Sequence, residues 1–148
     1  MTKNSKSSSE KNGFFPLVLI VEEDNDTRMM LKYLLEIWKY RVIEAADGEE
    51  AMRMAEGSRP NIVLLDYKLP YIDGLNIVRR MRERQLLDET IIIFVTACTD
   101  PAARASALAA GSDDFLIKPI DFGKLEISLE KHLRTGRKLV EGFITEVI

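Results

Sequence analysis

Short apolar runs recur along the chain, and a polar residue follows each of them. Four runs are continuous rather than alternating, and they cover residues 17–21, 62–65, 91–95 and 115–117. Continuous runs rich in valine and isoleucine are typical of strands buried on both faces, as in a parallel sheet covered by helices. A weaker fifth run, Arg41–Ala45, fits a more exposed edge strand. The pattern therefore predicts five strands.

The segments between these runs have apolar residues at helical spacing. Two helix boundaries are also visible, because Asp100 and Pro101 are typical of a helix start and Gly111 of a helix end. Asp121 can cap a last helix in the same way. Alternating strands and helices predict a doubly wound α/β fold with right-handed crossovers. The predicted helical stripes are Met30, Tyr33, Leu34 and Ile37; Ala51, Met52 and Ala55; Leu75, Val78 and Met81; and Leu125, Leu129 and Leu133.

Composition narrows the class of protein. The chain has 148 residues, enough for one ordinary domain, and 21 basic against 24 acidic residues give a net charge of −3. This charge disfavours binding to nucleic acid or to an anionic membrane. The single cysteine, Cys98, cannot form an internal disulfide, and no apolar run could span a bilayer, so we expect a cytoplasmic protein. Residues 1–15 are expected to form a disordered tail rather than a secretion signal.

Polar residues follow or end the predicted strands at Glu22, Glu23, Asp66, Thr96 and Lys118. The carboxyl ends of parallel strands share one edge of a sheet, so these side chains are expected to converge there. Three carboxylates in one pocket repel one another unless a cation offsets their charge. Oxygen ligands without a nearby histidine or cysteine favour a hard ion, and we expect Mg²⁺.

The same set of groups predicts a place to form an acyl phosphate on aspartate. Asp66 is the candidate nucleophile, and Lys118 with the metal would offset the charge of the moving phosphoryl group. Thr96 would donate a hydrogen bond to that group after transfer.

Four motifs carry a resemblance to a known family: LIVEEDNDTR at 19–28, VLLDYKLPYIDG at 63–74, FVTA at 94–97 and DDFLIKP at 113–119. Together they resemble the receiver domain of bacterial two-component response regulators, of the stand-alone type found in chemotaxis regulators. The resemblance covers residues 16–134. It implies a flavodoxin-like sheet of five parallel strands in the order 2-1-3-4-5 with helices on both faces.

The resemblance also implies roles for individual residues. Asp66 would be the phosphoacceptor, and Mg²⁺ would be held by Glu22, Glu23, Asp66 and the main-chain carbonyl of Lys68. The phosphoryl-binding and switch residues would be Thr96, Ala97, Lys118 and Phe115, with a cis bond before Pro119. The family usually has aspartate where this chain has Glu23, so the metal affinity is expected to differ.

The function implied is a phosphorylation-controlled switch rather than an enzyme, although it would promote its own phosphorylation and dephosphorylation. The phosphodonor would be a histidine kinase or a phosphotransfer protein. We expect no further domain to follow this one, and therefore expect output through contact with an unidentified protein, with neither nucleic acid nor membrane involved. Homodimerisation stays open.

Two alternatives remain at this stage. The first is a receiver-like interaction module that never uses phosphate chemistry. The feature in its favour is Glu23, which stands where the family usually has aspartate. The second is a phosphohydrolase that works through an aspartyl phosphate. It would need a second carboxylate two residues after the nucleophile, but Lys68 stands there.

Residues 135–148 form an extension with an apolar stripe at helical spacing. They are expected to be an amphipathic helix that folds back on the domain or binds a second copy or a partner.

Overall fold

The computed structural model describes residues 14–137, in which five strands alternate with five α-helices. A short 3₁₀ turn at Gln85–Leu87, which the sequence pattern did not indicate, precedes the fourth strand. The strands are β1 (Leu17–Val21), β2 (Arg41–Ala45), β3 (Ile62–Leu65), β4 (Ile91–Thr96) and β5 (Asp114–Ile117). The helices are α1 (Asn25–Ile37), α2 (Gly48–Ser58), α3 (Gly74–Arg82), α4 (Pro101–Ala110) and α5 (Phe122–Thr135).

The strands form one parallel sheet in the order β2-β1-β3-β4-β5. This confirms the predicted fold class and strand order. β2 lies at one edge of the sheet, as its weaker apolar pattern predicted, and β5 lies at the other edge. The strand order places the ends of β1 and β3 side by side in the sheet, where the polar residues that follow them can meet.

Successive residues of each central strand pack on opposite faces of the sheet. In β1, Leu19 and Val21 join a core with residues of α2, α3 and α4. Val18 and Ile20 join a second core with residues of α1 and α5. Both faces are therefore covered by helices, which explains why the strand sequences are apolar at every position.

Helix α1 buries a different face from the predicted one. Its buried residues are Leu31 and Leu35, whereas Tyr33 is 69% and Ile37 is 55% exposed. Of the predicted stripe, Leu34 does pack against the core. Because α1 has apolar residues on nearly all its sides, spacing alone did not define the face that meets the sheet.

Each α-helix begins after an aspartate whose side chain accepts a backbone N–H, so one of the unpaired donors at each helix start is satisfied. The predicted caps at Asp100 and Asp121 are among them, and α4 ends at Gly111 with a φ of 120°. The bond between Lys118 and Pro119 is cis, as expected.

The predicted N-terminal tail and C-terminal extension lie largely outside the described residues, so both stay predictions. Helix α5 continues through Thr135, whose hydroxyl donates to the Lys131 carbonyl at 2.9 Å. None of the helices within residues 14–137 is both long and apolar enough to cross a bilayer.

Candidate functional site

Three side chains from distant parts of the sequence meet at the carboxyl edge of the sheet. Glu22 follows β1, Asp66 follows β3 and Lys118 follows β5. The Lys118 ammonium donates to Glu22 Oε1 at 2.8 Å and to Asp66 Oδ2 at 3.1 Å. The structure thus brings together the predicted nucleophile, the predicted lysine and one of the two predicted acidic ligands.

The three groups are partly shielded from solvent, with side-chain exposures of 6% for Glu22, 14% for Asp66 and 21% for Lys118. Burial raises the pKa of Glu22, and the nearby charge of Asp66 adds to this effect, although hydrogen bonds from Lys118 and the Asp24 N–H oppose it. Burial alone would lower the pKa of Lys118. Its hydrogen bonds with both carboxylates and their charges outweigh that effect, so its pKa is raised and it stays protonated at neutral pH.

Glu23, the second residue of the predicted acidic pair, is exposed and borders an open acidic cleft of about 510 Å³. The Lys68 N–H donates to Asp66 Oδ1 at 3.2 Å, so the backbone of the loop after β3 contacts the Asp66 carboxylate. Asp66 is held by a backbone donor on one oxygen and by Lys118 on the other. The cleft is lined by Glu22, Glu23, Asp24, Asn25, Asp26, Asp66 and Lys68.

The donors around this cleft are carboxylate, amide and carbonyl oxygens, which are the ligands of a hard cation. Within the described part of the chain, no three Asp, Glu, His or Cys side chains are grouped closely enough to hold a metal ion by themselves. Mg²⁺ is commonly held by one or two carboxylates, with water and phosphate oxygens completing its shell. The residues present therefore fit Mg²⁺ better than an ion that needs a full set of protein ligands.

Thr96 is the last residue of β4 and is 1% exposed. Its carbonyl accepts the Lys118 N–H at 2.8 Å, so the end of β4 directly fixes the backbone of the lysine. Its hydroxyl accepts the Cys98 N–H at 3.3 Å. Ala97, which follows, is exposed.

Phe115 lies in β5 and points into the core, with 3% of its surface exposed. Its ring centroid is 5.9 Å from that of Phe94. The Arg104 guanidinium of α4 lies 5.9 Å from the centroid of the Phe115 ring and donates to the Phe115 carbonyl at 3.4 Å. Phe115 therefore contributes to core packing and also connects β5 with α4.

Two residues that position the site, Arg28 and Gly74, end the motifs at 19–28 and 63–74, but nothing in the sequence assigned them a role at the site. The Gly74 N–H donates to the Tyr67 carbonyl at 2.7 Å, and a Cβ at position 74 would lie 2.5 Å from the Asp66 carbonyl oxygen. Arg28 contacts the backbone of Glu22 and Glu23. The available signals were a glycine next to a helix-capping aspartate and an arginine one turn after the acidic pair, and neither is specific.

Comparisons with known proteins agree with this geometry. The family model for the response regulator receiver domain matches residues 18–130. The chain is 33% identical over 123 residues to the transcriptional regulatory protein AfsQ1 of Streptomyces coelicolor, which covers 83% of this chain and 53% of that protein. The structure of this chain resembles the receiver domain of the sensor histidine kinase PA1611 of Pseudomonas aeruginosa, which was solved with magnesium coordinated in its active site cleft. That match has a TM-score of 0.74 and 32% identity, and covers 79% of this chain and 96% of the other.

A further similar structure is the chemotaxis response regulator CheY4 of Vibrio cholerae, with a TM-score of 0.75 and 28% identity over 79% of this chain and 98% of that chain. The chain belongs to the response regulator receiver domain family. It spans about half the length of the curated relatives it matches.

Proposed function

We propose that this protein is a phosphorylation-controlled signalling switch in which Asp66 accepts a phosphoryl group from a histidine kinase or a phosphotransfer protein. The observation that carries the proposal is the Lys118 ammonium bound to both Asp66 and Glu22 beside an acidic cleft. Such a cluster leaves a carboxylate accessible to a phosphodonor and supplies positive charge next to it. Membership of the receiver family supports the same role.

In the proposed reaction, a carboxylate oxygen of Asp66 attacks the phosphorus of a phosphohistidine. A new P–O bond forms as the P–N bond breaks, and the electron pair stays on the imidazole nitrogen, which takes up a proton. Lys118 offsets the charge on the phosphoryl oxygens, and the Lys68 N–H keeps the carboxylate oriented. The Thr96 hydroxyl, which uses its oxygen to accept the Cys98 N–H, still has a proton to donate to the phosphoryl group.

Mg²⁺ bound in the cleft would neutralise part of the negative charge shared by the acidic residues and the phosphoryl oxygens. We propose that Glu23, Asp66 and the main-chain carbonyl of Lys68 hold it, with Glu22 beside them. Both oxygens of Glu22 are already engaged, by Lys118 and by the Asp24 N–H at 3.1 Å. The exposed Glu23 carboxylate is therefore the more available member of the pair.

Output is proposed to pass through protein contacts, with α4 and α5 as the surface that changes. A phosphoryl group on Asp66 would carry about −1.5 to −2 charges in place of the single negative charge of the carboxylate. This charge would lie beside Lys118, which follows β5 and whose backbone N–H is bound to Thr96 at the end of β4. The match covers only about half of each relative named as a transcriptional regulator, so the output of those whole proteins is not transferred to this chain. The cytoplasmic location and the homodimer stay predictions.

A receiver-like module that works without phosphorylation is less well supported. Such a module would not need a partly buried lysine that binds the acceptor carboxylate, and this chain has one. We also propose that the domain promotes its own phosphorylation and dephosphorylation, because the groups that offset the transferred charge belong to the domain itself.

Intact-mass spectrometry tests the proposal. The full chain is incubated with Mg²⁺ and acetyl phosphate, and a gain of about 80 Da is expected, which is the mass of one phosphoryl group. The variant Asp66→Asn should show no gain while keeping the thermal unfolding of the wild type. A wild-type chain that gains no mass, or a gain that persists in the Asp66→Asn variant, would contradict the proposal.

A further inference from the structure

Arg28, in the first turn of α1, binds both the loop after β1, which lines the acidic cleft, and the neighbouring strand β2. Its Nη1 donates to the Glu22 carbonyl at 2.6 Å and to the Glu23 carbonyl at 3.4 Å. Its Nη2 donates to the Asn25 side chain at 2.6 Å. Its Nε donates to Glu44 Oε1 in β2 at 3.3 Å. One guanidinium thus connects the loop after β1 to the neighbouring strand β2.

These contacts require the planar, forked donor set of arginine. A guanidinium has five N–H donors in a fixed geometry, whereas a lysine ammonium is a single point of charge on a flexible chain. The Arg28 side chain is 18% exposed, so its hydrogen bonds are partly shielded from competing water. Lysine at this position would keep the charge but could not reach two backbone carbonyls, an amide oxygen and a carboxylate together.

The Glu23 carboxylate depends on this loop for its position. Among residues 14–137 it has no hydrogen-bond or ion-pair partner, so its place in the cleft is set by its backbone. Arg28 binds that backbone directly through the carbonyls of Glu22 and Glu23. Glu22 differs, because Lys118 and the Asp24 N–H hold its side chain.

We propose that Arg28 is a positioning residue for divalent-cation binding, acting by fixing the backbone that carries Glu23 beside Asp66. This inference rests on the proposed function. Residues that orient metal ligands without touching the metal typically contribute ten- to a hundredfold to metal affinity. Arg28 thereby affects the phosphoryl reaction through the cation site rather than by contact with the phosphodonor.

Lys32 provides a matched control on the same helix. It lies 3.6 Å from Glu44 Oε2, so it shares the carboxylate partner of Arg28 and carries the same charge. Unlike Arg28, it makes no contact with the loop of the acidic pair in the described structure. The variant Lys32→Ala therefore removes one positive charge and one Glu44 contact from α1 without releasing the loop.

The experiment measures Mg²⁺ affinity of the full chain by isothermal titration calorimetry for the wild type and for Arg28→Lys, Arg28→Ala, Glu44→Gln and Lys32→Ala. We expect both Arg28 variants to bind Mg²⁺ about tenfold or more weakly. Lys32→Ala should stay within about twofold of the wild type, as expected of a surface charge. Glu44→Gln, which weakens the anchor on β2, should give an intermediate loss. If Arg28→Ala does not fold, Arg28→Lys and Glu44→Gln still decide the question.

A second readout separates positioning from general loss of structure. At saturating Mg²⁺, Arg28→Lys should be phosphorylated by acetyl phosphate at close to the wild-type rate, whereas at low Mg²⁺ it should be slower. Wild-type Mg²⁺ affinity in Arg28→Lys, or equal losses in Arg28→Ala and Lys32→Ala, would overturn the inference while leaving the proposed function intact. A wild-type chain that is not phosphorylated would instead contradict the proposed function.

Discussion

Lys118 and Asp66 are 52 positions apart in the sequence, yet Lys118 Nζ donates to Asp66 Oδ2 at 3.1 Å. The contact depends on backbone pairing, because the Lys118 N–H is bound to the carbonyl of Thr96 at the end of β4. The lysine also binds the buried Glu22, so its charge is shared between two carboxylates before any phosphodonor arrives. Lys118 is therefore in place to offset the charge that transfer to Asp66 would bring.

Replacing Lys118 should slow the reaction with acetyl phosphate. In Lys118→Ala, no ammonium would offset the charge on the phosphoryl oxygens, and we expect the phosphorylation rate to fall about a hundredfold or more. Lys124→Ala, an exposed lysine of α5, is the matched control and should react like the wild type. The rates are measured by quenched-flow mass spectrometry. Equal rates in the two variants would rule out this role for Lys118.

A side chain at position 74 should disturb the loop after β3, which carries Asp66. In Gly74→Ala the new Cβ would lie 2.5 Å from the Asp66 carbonyl and 2.9 Å from the Tyr67 carbonyl, so the backbone must shift. We expect a loss of about 1–3 kcal/mol in the free energy of unfolding, as for overpacked sites, and slower phosphorylation.

Gly57→Ala is the control for Gly74→Ala. Position 57 lies in α2, and a Cβ added there would meet nothing within 4 Å, so alanine should stabilise the helix by about 0.5–1 kcal/mol. Urea unfolding and the acetyl phosphate assay are run on both variants. If Gly74→Ala is as stable and as reactive as the wild type, the close approach of residue 74 to the Asp66 and Tyr67 carbonyls does not constrain the loop.

Stability should fall in acid partly because of Asp114. Burial alone would raise its pKa, but the hydrogen bonds from His132 and Ser128 outweigh this and lower the pKa to about 2 from 3.8. A carboxyl with a lowered pKa stabilises the fold above its unfolded pKa, and this contribution is lost as pH falls from about 4 towards 2. After allowing for solvent screening, we expect the Asp114 carboxylate to contribute about 1–2 kcal/mol to the free energy of unfolding.

The check is the free energy of unfolding of Asp114→Asn relative to the wild type between pH 2 and 7. The difference in free energy of unfolding should be largest at pH 6 and should shrink towards zero near pH 2. Glu89→Gln, an exposed residue in the loop before β4, should show no such trend. A difference that stays constant across this range would contradict the assignment to the Asp114 carboxylate.

Glu23 should contribute to Mg²⁺ affinity through its charge. Glu23→Gln keeps the size of the side chain but removes a carboxylate from the cleft, so we expect weaker Mg²⁺ binding by about tenfold. Glu49→Gln, an exposed acidic residue of α2 outside the cleft, is the control. Calorimetric titration with Mg²⁺ measures both. An unchanged affinity in Glu23→Gln would place the ion on other ligands.

Much of the fold could be predicted from the sequence because the strand signals are strong. Buried parallel strands need apolar residues at every position. Residues typical of helix caps mark the ends of the helices between them, as Asp100 and Gly111 do for α4. The face of α1 was not predictable in the same way, because apolar residues such as Tyr33 and Ile37 lie on its exposed sides as well. For such a helix, the packing of the sheet beneath it decides which face is buried.

The candidate site was likewise only partly predictable from the sequence. Asp66 and Lys118 were predictable because strand ends in a parallel sheet share one edge. The contributions of Arg28 and Gly74 depend on contacts with backbone carbonyls, and such contacts leave no pattern in the spacing of residue types. The difference between the buried Glu22 and the exposed Glu23 likewise follows from the geometry of the loop.

The most direct test of the central claim is to locate the phosphoryl group on the chain. After reaction with acetyl phosphate and Mg²⁺, borohydride reduction converts an aspartyl phosphate to homoserine, and tryptic peptide mapping then identifies the changed residue. We predict the change at Asp66 in the peptide of residues 54–68, and none in a sample treated with a chelator before the donor is added. Modification at another residue, or none at Asp66 in the presence of Mg²⁺, would contradict the account.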